Sequence, residues 1–89
     1  MRLELVTLMG VKLDQDIYQA TISTADGEIS VYPDNESLVT IAVPGVIAVR
    51  HHKDEDDSHL EYFAISGGVV EISGKKIRVL VDEAEHGDD

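Results

Sequence analysis

The chain has 89 residues, 18 of them acidic against seven Lys or Arg, and a formal net charge of −11. That balance makes phosphate backbones and anionic lipid poor partners and a basic protein surface a better one. Cys is absent, so neither a disulfide framework nor a thiolate metal site can form, and a core with no Trp and one Phe must be built from strand-favouring Val, Ile and Leu.

In chain order, the N-terminal "MRLELVTLMG" places charges among its early apolar residues and is no signal peptide. Short apolar runs then alternate with turn signals. "LELVTLM", "IYQATIS", "EISVY", "VTIAV", "VIAVR", "LEYFAIS", "VVEIS" and "IRVLV" all read as strands. The breaks at Asp26-Gly27, Pro33-Asp34-Asn35, Pro44-Gly45, Gly67-Gly68 and Ser73-Gly74-Lys75 carry turn-forming residues. Gly67-Gly68 and Ser73-Gly74-Lys75 are expected to close two hairpins, with Lys75, Lys76 and Arg78 facing solvent. Pro44 must end a strand or sit at an edge. The pattern predicts an all-β fold: a two-layer antiparallel β-sandwich of about ten short strands over residues 1–82. The apolar members of "IYQATI", "YFAI" and "IRVLV" should meet in its core. The acidic tail, residues 83–89, has no core-forming pattern and is expected to be frayed. No apolar run reaches transmembrane length, so a soluble, cytoplasmic chain is expected.

Candidate chemistry is sparse. His51, His52 and His59 stand beside Asp54, Glu55, Asp56 and Asp57, a set that suits zinc or nickel by ligand type. Adjacent histidines on a strand point to opposite faces, and the acids lack the glycine and spacing of a calcium loop. The expectation is therefore a mobile, dispensable hairpin tip over residues 51–59, with no metal site. Ser66 is not in a nucleophile-elbow setting, and Asp14 and Asp16 have no surrounding cleft. The chain is read as non-catalytic and without a cofactor.

One family pattern runs through nearly the whole chain. It comprises Gly27, Glu28, Ile29, Pro33, Leu38, Thr40 and the Pro44-Gly45 turn, then Ser66, Gly67, Gly68 and Glu71, then Val79, Leu80 and Asp82. In that order and spacing the chain resembles the N-terminal domain of the epsilon subunit of F-type ATP synthase, called delta in mitochondria. It departs where Ser30 replaces the family's second Gly, Asn35 its His, and Glu36-Ser37 its Ala-Pro.

The resemblance implies a non-catalytic rotor subunit at the foot of the central stalk. Such a subunit links gamma to the ring of c subunits and couples ATP synthesis to a flow of protons or sodium ions. It implies Glu28 and Ser30 toward the c ring, and Thr7, Asn35 and Thr40 toward gamma. It also implies a peripheral position on the cytoplasmic side of the bacterial inner membrane, or the equivalent side in an organelle. Longer members continue into a helical hairpin that can inhibit hydrolysis and can bind ATP. A chain stopping at Asp89 is expected to have no C-terminal helical hairpin and neither property. The competing expectation is a stand-alone acidic β-sandwich adaptor for a cytoplasmic protein.

Overall fold

The last long strand shows how the sequence makes this fold. In β9 (Lys76–Val81), Ile77, Val79 and Val81 are buried while Lys76, Arg78 and Leu80 face out. Such strict alternation buries one face of a pleated strand and leaves the other in water. A computed structural model of the chain describes residues 1–33 and 36–87.

Nine more strands complete the architecture: β1 (Arg2–Thr7), β2 (Gly10–Asp16), β3 (Gln19–Thr24), β4 (Gly27–Val31), β5 (Leu38–Ala42), β6 (Gly45–Arg50), β7 (Glu61–Ile65), β8 (Gly68–Ser73) and β10 (Ala84–Gly87). Among the described residues the only helical element is a 3₁₀ turn at Asp57–His59. The pairing gives two five-stranded halves, β10-β7-β6-β3-β4 and β5-β8-β9-β1-β2. They join at a corner where Thr24 of β3 meets Ala42 of β5. Between them lies one core that includes Leu3, Leu5, Ile22, Ile47, Val70 and Ile77.

The predicted all-β sandwich is what the chain forms, and the three segments expected to meet inside do so. Ile17, Ala20 and Ile22, then Phe63 and Ile65, then Ile77, Val79 and Val81 are all buried. Four local expectations change. First, the fold is not wholly antiparallel, because β1 runs parallel to β9, Leu3 opposite Ile77 and Leu5 opposite Val79. Second, "GVKLDQD" is a strand, β2, although it contains only two apolar residues. It is an edge strand, so Lys12, Asp14 and Asp16 stay in water while Leu13 packs against the core.

Third, Gly67-Gly68 is a crossover rather than a hairpin. β7 pairs with β6 and β10, whereas β8 pairs with β5 and β9. Neither glycine has a positive φ. The requirement is closeness: a Cβ on Gly68 would lie 2.0 Å from the Leu80 carbonyl oxygen. The Ser73-to-Lys76 turn is the expected hairpin, with Gly74 at φ 59°. Fourth, the tail is ordered through Gly87. β10 pairs with β7, and a two-way bridge secures its start: Ser66 N–H donates to Glu83 O at 3.0 Å, and Glu83 N–H donates to Ser66 Oγ at 3.0 Å.

Ion pairs tie β1 to both neighbours. Arg2 Nε donates to Asp14 Oδ1 at 2.6 Å, and Glu4 Oε1 accepts from Lys76 Nζ at 2.8 Å and from Arg78 Nη2 at 3.2 Å. Arg2 holds Asp14 below the usual carboxylate range, and Lys76, ahead of Arg78, does the same for Glu4. A carboxyl depressed in the folded state stabilises it above the unfolded pKa and loses that contribution as pH falls through the folded one. Denaturant midpoints should therefore decline as pH falls below about 4. The decline should be shallower in Glu4→Gln; an unchanged pH profile in that variant would remove Glu4 from the account.

Candidate interaction surfaces

The segment from Thr24 to Val39 begins with a turn whose chemistry occurs twice. Thr24 is 5% exposed; its hydroxyl donates to Gly27 O at 2.6 Å and accepts from Asp26 N–H at 3.2 Å. In "TLMG", Thr7 likewise donates to Gly10 O at 3.3 Å and accepts from Met9 N–H at 3.1 Å. Both turns end on a glycine with positive φ, Gly27 at 109° and Gly10 at 118°. The sequence signal, Thr-x-x-Gly, lies in plain view in "TADG" and "TLMG".

The residues singled out by the resemblance fall in separate places. Glu28 and Ser30 are exposed on β4, at the edge of the first half. Ser30 Oγ lies 3.4 Å from Thr21 Oγ1 on the neighbouring strand. Tyr32 follows β4 and meets Tyr18 edge-on, with ring centroids 5.9 Å apart. Asn35 lies outside the described residues.

Thr7 and Thr40 belong to the second half, at the end of β1 and in the middle of β5. The Thr7 hydroxyl is engaged in its turn, and Thr40 is half-buried, on the same side of its strand as buried Ala42. Their neighbours face out instead. Val39 is 69% and Ile41 60% exposed. Ile41 lies opposite Val69, Val69 opposite Leu80, and Leu80 opposite Val6. An apolar row thus crosses four strands, from beside Thr40 to beside Thr7. It is a feature that single residues could not reveal, because it exists only through the register. Beside it, Leu38, Val39, Glu71, Ile72, Lys76 and Arg78 line a hollow of about 500 Å³.

The histidine-rich loop is tied down rather than loose. Arg50, whose side chain is 18% exposed, donates to Gln19 Oε1 at 3.1 Å, to Asp57 Oδ1 at 2.6 Å and to the Glu55 carbonyl. Asp56 caps the 3₁₀ turn by accepting from Ser58 N–H, and Ser58 with His59 holds its carboxyl below the usual range. His51 and His86 lie 2.8 Å from the two oxygens of Glu61. Among the described residues no group of three or more His, Asp or Glu is placed to hold a metal ion. The expectation of a loop without an anchor missed Arg50, which read as the polar end of a strand. Arg50→Met leaves Gln19 and the Glu55 carbonyl without their donor. It should cost about 1–2 kcal/mol and speed amide exchange across 52–58; parent-like exchange there would show that Arg50 is not the anchor.

Among the described residues no helix is long and apolar enough to cross a membrane. Comparison with known proteins agrees with the fold. The ATP synthase epsilon chain of Sulfurihydrogenibium sp. is 35% identical over 82 residues, 92% of this chain and 58% of that protein. The epsilon chain of Persephonella marina is also 35% identical over 82 residues, covering 92% of this chain and 57% of its own. The chain therefore spans under three-fifths of the length of these curated relatives. A solved structure of the Euglena gracilis mitochondrial ATP synthase contains a chain that superposes with a TM-score of 0.83 at 24% identity, over 94% of this chain and 51% of that one. A chain of the Tetrahymena thermophila mitochondrial ATP synthase central stalk and c-ring gives 0.76 at 16% identity, over 96% and 65%. At those identities the two structures speak for the fold alone. The family description "ATP synthase, Delta/Epsilon chain, beta-sandwich domain" matches residues 1–87, and the chain belongs to that family.

Proposed function

We propose that this sandwich is a rotor piece of a proton- or sodium-translocating ATP synthase, seated between the gamma subunit and the c ring on the peripheral, cytoplasmic side of the membrane. It makes no ATP itself; it transmits motion between the two partners. The observation that carries this reading is the separation of two surfaces on one stiff body. The apolar row Ile41–Val69–Leu80–Val6 supplies a dry centre of the kind a lasting protein interface needs, with Thr40 and Thr7 at its two ends. This is the side assigned to gamma.

Glu28 and Ser30 sit on the other half, where a polar contact to the ring would be made. Two faces joined through a continuous core transmit torque with little give. Co-purification tests the reading. The chain, carried on an affinity tag in its own host, should bring down gamma and c subunits together. Recovery of neither, with some other basic protein in their place, would favour the acidic adaptor.

A further inference from the structure

The backbone of β4 is half unpaired, and the register says which half. In β3, Ser23 O accepts from Val43 N–H at 3.1 Å, and the neighbouring Ala25 N–H donates to Ile41 O at 2.9 Å. Residues 23 and 25 therefore direct their backbone groups toward β5. Alternate residues of a strand direct them opposite ways, so Ala20, Ile22 and Thr24 turn theirs toward β4. Their partners there are Val31, Ile29 and Gly27. Glu28 and Ser30 must then turn their N–H and C=O groups outward. Among the described residues no strand pairs with that side of β4. Two donor–acceptor sets about 7 Å apart stand exposed, at the spacing an incoming strand would match.

Two other open edges are guarded. β2 carries Lys12, Asp14 and Asp16 beside a register shift in its pairing with β1, and β10 has only four residues. β4 carries one charge, Glu28, in five residues. The sequence around it is one-sided: no Lys, Arg or His occurs between Lys12 and Arg50, while Asp26, Glu28 and Glu36 lie in or beside the β4 segment.

We infer that the open edge of β4 takes an extended, Lys- or Arg-bearing segment of a partner protein by strand addition, through the backbone groups of Glu28 and Ser30. The inference rests on the rotor reading and specifies the chemistry of its Glu28–Ser30 contact. Backbone pairing supplies the attachment, and the Glu28 carboxylate selects a cationic side chain.

Proline at position 30 separates this from a contact made by side chains. It deletes an outward amide and leaves the β3–β4 ladder intact, a position where an edge strand tolerates proline. Ser30→Pro should keep the parent's thermal midpoint within a few degrees and bind the gamma–c-ring assembly of the same organism about tenfold more weakly. Ser30→Ala should bind within about twofold of the parent. In the complex, amide exchange at Glu28 and Ser30 should slow at least about tenfold relative to the free chain. The exchange measurement decides the matter even if Ser30→Pro fails to fold. Parent-like binding by folded Ser30→Pro, or unprotected Glu28 and Ser30 amides in the complex, would overturn strand addition and leave the rotor reading standing. Failure of the parent itself to bind the assembly would overturn both.

Discussion

Gly68→Ala should remove a large share of the domain's folding stability. The added Cβ would sit 2.0 Å from the Leu80 carbonyl oxygen and 2.9 Å from Val81 Cγ1, far inside contact distance. The nearer obstacle is the Leu80 backbone at the end of the β8–β9 ladder, so no side-chain rotation relieves it. Forcing the strands apart breaks the pairing of Gly68 with Val81 and loosens Val70 and Val79 behind it. Overpacking of this kind costs about 3 kcal/mol or more. A domain this small has only about 5–10 kcal/mol in total. The thermal midpoint should fall by more than about 12 °C. Gly74→Ala is the control: it places a side chain at positive φ with no atom within 4 Å, and should cost about 1 kcal/mol. If the two variants melted together, the close approach of β8 and β9 would not be what fixes glycine at 68.

On the proposed rotor reading, Glu28→Lys combined with Asn35→Trp should uncouple the ATP synthase that holds this chain, keeping ATP hydrolysis while abolishing most ion pumping. Glu28 is exposed at the edge assigned to the c ring. Truncation to Ala removes one rim contact and should weaken assembly by less than about fivefold. Reversal to Lys puts a cation where the partner is expected to bring one, which adds repulsion and is the more damaging change. Trp at 35 adds bulk to the segment leading toward Thr40. The isolated double variant should melt within a few degrees of the parent, which separates interface damage from unfolding. Normal assembly with normal pumping in the double variant would return residues 24–39 to ordinary surface.

Much of the fold is legible in the amino acids because strand alternation is a local signal. Ile77, Val79 and Val81 announce their own burial, and Gly74 announces its turn through the φ that the turn demands. The failures come from non-local causes. A Gly-Gly pair looks the same whether it reverses a chain or lets two strands approach, and only the pairing of β7 and β8 with different neighbours distinguishes the cases. β10 has almost no strand-forming composition. It is held by Ser66, by its ladder to β7 and by Glu61 through His86, all distant in sequence. β2 is weakly marked in the sequence because an edge strand needs one apolar face and no more.

The candidate surfaces divide in the same way. Glu28 and Ser30 lie within one short stretch of sequence, whereas the row from Ile41 to Val6 appears only once four strands are in register. Thr7, which the resemblance turns toward gamma, also holds its own turn through its hydroxyl.

Restoring pumping tests the central claim most directly. On the proposed reading, membranes whose ATP synthase has been stripped of this chain should hydrolyse ATP without building an ion gradient. Adding the 89-residue chain to such membranes from its own organism should restore ATP-driven ion uptake in proportion to the chain bound, saturating at one chain per complex. Binding without any recovery of uptake, or no binding at all, would contradict a coupling role for this sandwich.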